Sequence, residues 1–325
     1  MQKNYFYGVL YCLLATVTWG AMFPIMTNAL AKIDPFTFTA LRYSIAGAAF
    51  IALLVAKEGW GSLKLRGERV GLAWALGTAG FAGFGFLVFL GQQLAGPTGA
   101  LTASIMMATM PMLGLLVNWG VRRVRPPMFS FCFIFFSFCG VALVITKGNL
   151  ASILNAPLNY AANVPLILGA LCWVFYTVGA SFFPRWSPYR YTAITTGLGL
   201  TSVFAICFLL ISVGYIRVPS ISTVISISPH LLYMALIAGF VGVLSWNMGN
   251  KIITPLNGVL FMDVVPLTAF TISAISGVVP QGGQIIGASF TATALILNNL
   301  YQRRLMAAAA SPKIAPIGSA VSSVD

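Results

Sequence analysis

Carboxylates are nearly missing from this chain. Five Asp and Glu stand against eighteen Lys and Arg in 325 residues, and charged side chains make up 7% of the sequence, where a soluble domain carries roughly a quarter. Residues 4–31, 70–121, 126–146, 148–184 and 264–302 hold no charge at all. With 59% hydrophobic residues and a mean hydropathy of +0.92, such a chain cannot face water on all sides, and lipid is its expected solvent. Histidine is scarcer still. His230 stands alone, which excludes a multi-histidine metal centre and a histidine dyad. Cys12, Cys132, Cys139, Cys172 and Cys207 fall singly within apolar runs, without a CxxC pair, so packing is expected of them rather than disulfides or metal ligation. No GxxxxGK[ST] loop is present, so the chain does not hydrolyse ATP by itself. No nucleophile and base pair up in the sequence, and the expectation is a protein that is not an enzyme and needs no cofactor or metal.

The long apolar runs are what is there instead. Crossing about 30 Å of hydrocarbon takes roughly 20 apolar helical residues. Cutting the chain at charges and at Gly/Pro/Asn breaks leaves ten segments of that kind: 6–30, 36–56, 70–93, 98–120, 128–146, 163–183, 190–213, 231–253, 256–278 and 283–301. Continuous runs indicate helices, because barrel strands alternate over about ten residues. An all-α polytopic membrane protein of ten transmembrane helices is therefore expected. The N-terminal run is longer than a signal peptide's apolar region and reads as a retained first helix. The Ala-, Ser- and Pro-rich stretch 307–325 reads as a disordered tail.

The basic excess then has a topological meaning. Placing the N-terminus inside gives the inner segments Lys3, Lys57, Lys64, Arg66, Arg69, Arg122, Arg123, Arg125, Arg185, Arg190, Lys251, Arg303, Arg304 and Lys313, against Lys32, Lys147 and Arg217 outside. That bias is the positive-inside signature of a plasma (inner) membrane protein with both termini cytoplasmic. No basic run exceeds Arg122-Arg123-Val124-Arg125, which lies between apolar spans, so nucleic acid is not an expected partner; the partners are the bilayer and a small-molecule substrate. Nothing in the sequence specifies an oligomer, and a monomer satisfies this reading.

The second half echoes the first. Trp19 in span one and Trp173 in span six are 154 positions apart, Pro111 in span four and Pro266 in span nine are 155 apart, and Gly91-Gln92-Gln93 corresponds to Trp246-Asn247-Met248. Five spans per copy is odd, so the copies, 6–146 and 163–301, must be inverted, as in many secondary transporters. Pro24, Pro111 and Pro266 are candidate kinks beside a central site, since a mid-helix proline removes a donor and clashes with the preceding turn; prolines are also simply common in membrane helices.

The Trp19-Gly20 pair, Pro35 with Arg42, the run from Ala100 to Pro111, and Trp246-Asn247 with Pro255-Leu256-Asn257-Gly258 and Pro266 together resemble the drug/metabolite transporter superfamily, EamA-like branch, over roughly residues 9–300. The resemblance implies a ten-helix inverted-repeat fold and export of amino acids or related small metabolites. It is nearly silent about the substrate. The second unit departs from the first at the positions matching Arg42 and Asp263, near Thr196 and Ala108. Related small multidrug exporters depend on a carboxylate in the first span, and this first span has none.

Charges inside spans are costly and mark functional candidates. Asp263, roughly 10 Å into span nine by helical rise, reads either as a proton or cation coupling site or as a structural carboxyl paired with Lys251 or with polar neighbours. Arg42 in span two either holds a substrate carboxylate or snorkels outward to meet Asp34. Lys251, near the inner end of span eight, reads as a snorkelling or ion-pairing lysine. The amides of Gln92, Gln93, Asn247 and Asn250 suit zwitterions and neutral polar solutes, or else join helices. Trp19, Phe23, Trp173, Tyr176 and Trp246 are candidates to line the cavity and stack on substrate. The expected function is a secondary transporter exporting small polar or zwitterionic metabolites by alternating access at a central cavity; a facilitative channel or a drug/cation efflux protein of the same superfamily is the alternative.

Overall fold

The computed structural model describes residues 2–96, 99–123, 125, 128–145, 148, 157–275, 277 and 282–310. Among them helices and the turns that join them are the only regular structure. Rods α1 (Gln2–Leu30), α2 (Pro35–Glu58), α3 (Val70–Leu94), α4 (Gly99–Val121) and α5 (Met128–Ile145) form the first half. Rods α6 (Pro157–Gly179), α7 (Pro188–Ser212), α8 (Ser228–Ile253), α9 (residues 255–275) and α10 (Gly282–Ala310) form the second.

Seven of these rods, α1 to α4 and α6 to α8, are long and apolar enough to cross a membrane, so ten full spans exceed what helix length and composition establish. Two boundaries also depart from expectation. The sixth helix starts at Pro157 rather than near 163, its proline taking a first-turn position where no intrahelical donor is needed. The last helix runs on to Ala310, because alanine is the best helix former; the expected tail is thus helical over 307–310, and 311–325 lie outside the described residues.

Local chemistry sets the starts of α2 and α7 in the same way. The Asp34 carboxylate accepts from the Thr37 N–H at 2.8 Å and Pro35 follows; the Ser187 hydroxyl accepts from the Arg190 N–H at 3.0 Å and Pro188 follows. Each cap satisfies an orphan donor, and each proline sits where its missing N–H costs nothing. The middle of α3 widens into a π-helical stretch, Thr78–Gly83, and the middle of α8 does the same over Tyr233–Gly242. Their starts are separated by the 155-residue offset of the two prolines. Such stretches concentrate at functional sites.

The helix pairings repeat when the halves trade places. α1 packs on α8 as α6 packs on α3; α1 meets α9 as α6 meets α4; α2 touches α8 as α7 touches α3; α2 lies against α7 and α5 against α10. Small residues permit the closest approaches, as lipid-embedded helices require. A Cβ on Gly199 would lie 2.6 Å from the carbonyl carbon of Gly77, and one on Gly249 would lie 2.5 Å from Cys12 Sγ. The outside is apolar: Phe208, Ile221, Met128 and Ile275 are all strongly exposed, as lipid-facing residues should be. Lys57, Lys64, Arg66, Arg69, Arg185, Arg190 and Lys251 share one end of the bundle, where the segment between α2 and α3 meets the start of α7 through Arg190 and Glu68. Lys32 and Arg217 flank one cavity at the opposite end.

Candidate functional site

Where α1, α3, α6, α7 and α8 converge, aromatic rings fill the centre of the bundle. Trp19 packs edge-on against Trp173 and tilted against Trp246, both with centroids 5.1 Å away. Trp173 continues the contact to Tyr176 at 5.0 Å and to Phe84 at 5.0 Å, and Tyr176 meets Tyr191 at 5.2 Å and Phe81 at 5.3 Å. All three tryptophans are buried. Glycines open the room for the rings: a Cβ on Gly80 would lie 2.7 Å from Tyr176 Cγ, and one on Gly242 2.7 Å from Trp19 Nε1. Both glycines belong to the π-helical stretches, which therefore back the cluster from two sides.

Polar groups thread the rings. Trp19 Nε1 donates to the Ala238 carbonyl at 2.9 Å and Trp246 Nε1 donates to Thr177 Oγ1 at 3.0 Å. The Asn247 amide donates to the Tyr176 hydroxyl at 2.7 Å and to Thr192 Oγ1 at 2.8 Å, tying α8 to α6 and α7 at once. The Tyr191 hydroxyl donates to the Tyr176 carbonyl at 2.7 Å. Asn250 donates to the Trp246 carbonyl at 2.8 Å, while its Oδ1 has no partner. The buried indole N–H of Trp173 has none either.

Two cavities flank the cluster. One of about 240 Å³ opens at the basic end and reaches Tyr191, Asn247, Asn250 and Lys251. Another, about 260 Å³, lies on the other side and is lined by Thr27, Leu30, Gln92 and Gln93. Gln92 is buried and donates to the Phe23 carbonyl at 2.7 Å and to Thr27 Oγ1 at 3.1 Å, with its Oε1 unpartnered. Phe23 is fully buried beside it.

The structure thus gathers Trp19, Trp173, Tyr176, Trp246 and Asn247 into one cluster, sets Asn250 at one cavity and Gln92 and Gln93 at the other, and buries Phe23 behind Gln92. Gln93 lines that second cavity and also joins helices, as its two readings allowed. It is exposed and donates to the Leu30 carbonyl at 3.0 Å, joining the ends of α1 and α3. Lys251 is no ion-pairing lysine among the described residues: its ammonium donates to the Pro184 and Trp186 carbonyls at 2.7 and 3.2 Å, holding the segment before α7. Arg42 neither snorkels to the surface nor meets Asp34. It is 2% exposed, its Cζ lies over the Tyr43 and Phe89 rings, and Nη2 donates to the Tyr43 hydroxyl; Asp34 is spent on its cap, about 12 Å away by helical rise. Pro24 sits within an unbroken α1. Pro111 follows a break at Ala108–Thr109 that splits α4, and Pro266 stands in the first turn of Val264–Ile275, after the tight turn Leu260–Asp263. Asp263 closes that turn, and its side chain lies outside the described residues. Among the described residues, no cluster of His, Cys, Asp and Glu suited to a metal occurs.

Sequence reasoning missed Tyr43, Phe81, Phe84, Thr177, Tyr191 and Thr192. The Tyr191-Thr192-Ala193-Ile194-Thr195-Thr196 stretch, polar for a span, was the available signal.

The EamA-like transporter family matches the chain twice, over residues 6–146 and 162–300. The chain belongs to that family. This EamA-like protein is 38% identical over 301 residues to the "Uncharacterized transporter YrdR" of Bacillus subtilis (strain 168), covering 92% of this chain and 93% of that one. It is 27% identical to the "Uncharacterized transporter YyaM" of the same organism, covering 83% and 86%, and 23% identical to an "Uncharacterized transporter" of Archaeoglobus fulgidus, covering 78% and 83%. A solved structure described only as "Crystal structure of protein" superposes with a TM-score of 0.67 at 22% identity, over 91% of this chain and 98% of the other; that likeness concerns the fold alone. The EamA-like protein is an integral membrane transporter.

Proposed function

We propose that this transporter exports small polar or zwitterionic metabolites, such as amino acids, by alternating access. The observation that carries the reading is the aromatic and amide cluster of Trp19, Trp173, Trp246, Tyr176 and Asn247, contributed by both halves and standing between two cavities. A layer that separates two vestibules is the position at which a site is exposed first to one side and then to the other. Amides and hydroxyls offer donors and acceptors together, and ring faces favour an ammonium group. Pairings that repeat on exchange of the halves support an inverted duplication of five helices each, with α5, α9 and α10 as the remaining spans. Charge bias between the two ends supports an inner-membrane protein with cytoplasmic termini, and the basic-end cavity would then face the cytoplasm. Asp263 is the proposed coupling residue, and Asp263→Asn should lower transport while leaving membrane expression intact.

The test is counterflow. Proteoliposomes preloaded with mixed amino acids should take up labelled solute against its gradient, saturably, and Trp19→Ala should abolish this. Flux that neither saturates nor shows counterflow would instead indicate a facilitative channel and refute alternating access.

A further inference from the structure

Among the described residues, Arg42 is a cation buried without a counter-charge. Its side chain is 2% exposed, and Nε and Nη1 have no hydrogen-bond partner. Of its five N–H donors, the three on those two nitrogens are therefore unused. Among the described residues the one ion pair is Arg190 with Glu68 at the basic end, so no described carboxylate neutralises Arg42. The Tyr43 ring at 4.1 Å and the Phe89 ring at 4.9 Å offer it quadrupole attraction, and the Tyr43 hydroxyl accepts from Nη2. These contacts position the guanidinium without discharging it. A buried charge held this way works against folding. Among the described residues nothing takes up that charge, which leaves its donors open to a ligand.

The neighbours point the same way. Thr39, one turn before Arg42 on α2, is fully buried with its hydroxyl unpartnered, and it packs on Gly85 of α3. Gln92 lies one turn beyond Phe89 on α3, so the two share a face, and its Oε1 is a buried, unused acceptor beside the cavity that Gln92 lines. Open donors on Arg42, which lies over Phe89, and an open acceptor on Gln92, one turn further along α3, thus sit on either side of the Phe89 ring. We infer that Arg42 is a carboxylate-binding position in the transport path, and that the solutes carried are carboxylates, with Gln92 Oε1 available to a donor group on the same solute. The inference rests on the transport reading above and narrows its substrate class. The guanidinium is unmatched in the other half, where Thr196 takes the corresponding place, so the carboxylate is gripped by one half only.

Thermal unfolding of the purified full-length protein, with matched probes, tests it: L-alanine, L-alaninamide and ethylamine; L-phenylalanine, L-phenylalaninamide and phenethylamine; and sodium chloride and phosphate as inorganic anions. A carboxylate in the panel should raise the unfolding temperature of the native chain with an apparent affinity about tenfold or more above that of its amide, as loss of a charge-assisted bond implies. Arg42→Gln should erase that preference while unfolding, without ligand, at the same temperature as the native chain or higher. Arg42→Lys should keep part of the preference, having the charge without the planar fork. The inference is overturned by amides or amines binding as tightly as acids, by no carboxylate binding, by chloride or phosphate alone giving the Arg42-dependent shift, or by Arg42→Gln failing to fold. Counterflow of an amide or amine by the native chain and by Arg42→Gln alike would leave the transporter reading standing while the Arg42 inference fails.

Discussion

Replacing Asn247 by alanine removes two interhelical hydrogen bonds with one cut, to the Tyr176 hydroxyl at 2.7 Å and to Thr192 Oγ1 at 2.8 Å. Interhelical hydrogen bonds in membrane proteins average about 0.6 kcal/mol and reach about 1.7 kcal/mol, so the pair is worth about 1–3 kcal/mol. The two partners are not left alike. Thr192 still donates to the Pro188 carbonyl at 2.7 Å, whereas the Tyr176 hydroxyl loses the acceptor role recorded for it. The loss should therefore fall in the lower part of the range, about 1–2 kcal/mol, and should couple mainly to Tyr176. A double-mutant cycle of Asn247→Ala with Tyr176→Phe, read by equilibrium unfolding in mixed micelles, should show a coupling of about 0.6–1.7 kcal/mol. Counterflow should fall far more than stability, because Asn247 stands between the basic-end cavity and the tryptophan layer. Strict additivity of the two substitutions within about 0.3 kcal/mol would refute the bond as drawn, and native counterflow in Asn247→Ala would remove the residue from the transport path.

Further outcomes follow from other contacts. Gly242→Ala places a methyl 2.7 Å from Trp19 Nε1 and 2.8 Å from Thr18 Oγ1, so it should cost about 1–3 kcal/mol of unfolding free energy and lower the counterflow rate by displacing Trp19. Gln93→Ala should change stability by about 0.5 kcal/mol or less and leave transport untouched, while Gln92→Ala, which loses two bonds to α1, should cost about 1–2 kcal/mol in the same unfolding assay. Arg190→Ala releases Glu68 at 2.9 Å and the Ser62 and Lys64 carbonyls at 2.9 and 2.7 Å, so limited proteolysis should cut the segment 59–69 several-fold faster, with native transport of a solute still measurable.

How far the sequence is readable depends on the range of the physics involved. Lipid forbids unpaired backbone groups, which makes the apolar runs legible one by one, and the positions of α1 to α4 and α6 to α8 follow; the caps at Asp34 and Ser187 went unread although they act within three residues. Trp19, Trp173 and Asn247 stood out because a midplane indole or amide needs a buried partner. For Gln93 and Lys251 the sequence left alternatives open, because their partners, the Leu30, Pro184 and Trp186 carbonyls, are more than 60 residues away and come within reach only when the helix ends pack. The π-helical stretches escaped notice, since no local propensity separates them from ordinary helix.

What the sequence alone determined is therefore the solvent, the helical rods, the tandem landmarks and the family. Tertiary structure decided which of the scarce polar groups meet. It gave Asn247 its two hydroxyls, set three tryptophans in contact, and left Arg42 buried among rings with no carboxylate of the described residues beside it. Helix pairing accounts for that division: residues from 19 to 247 come together only when α1, α3, α6 and α8 pack, and no spacing along one helix records which face another helix will cover.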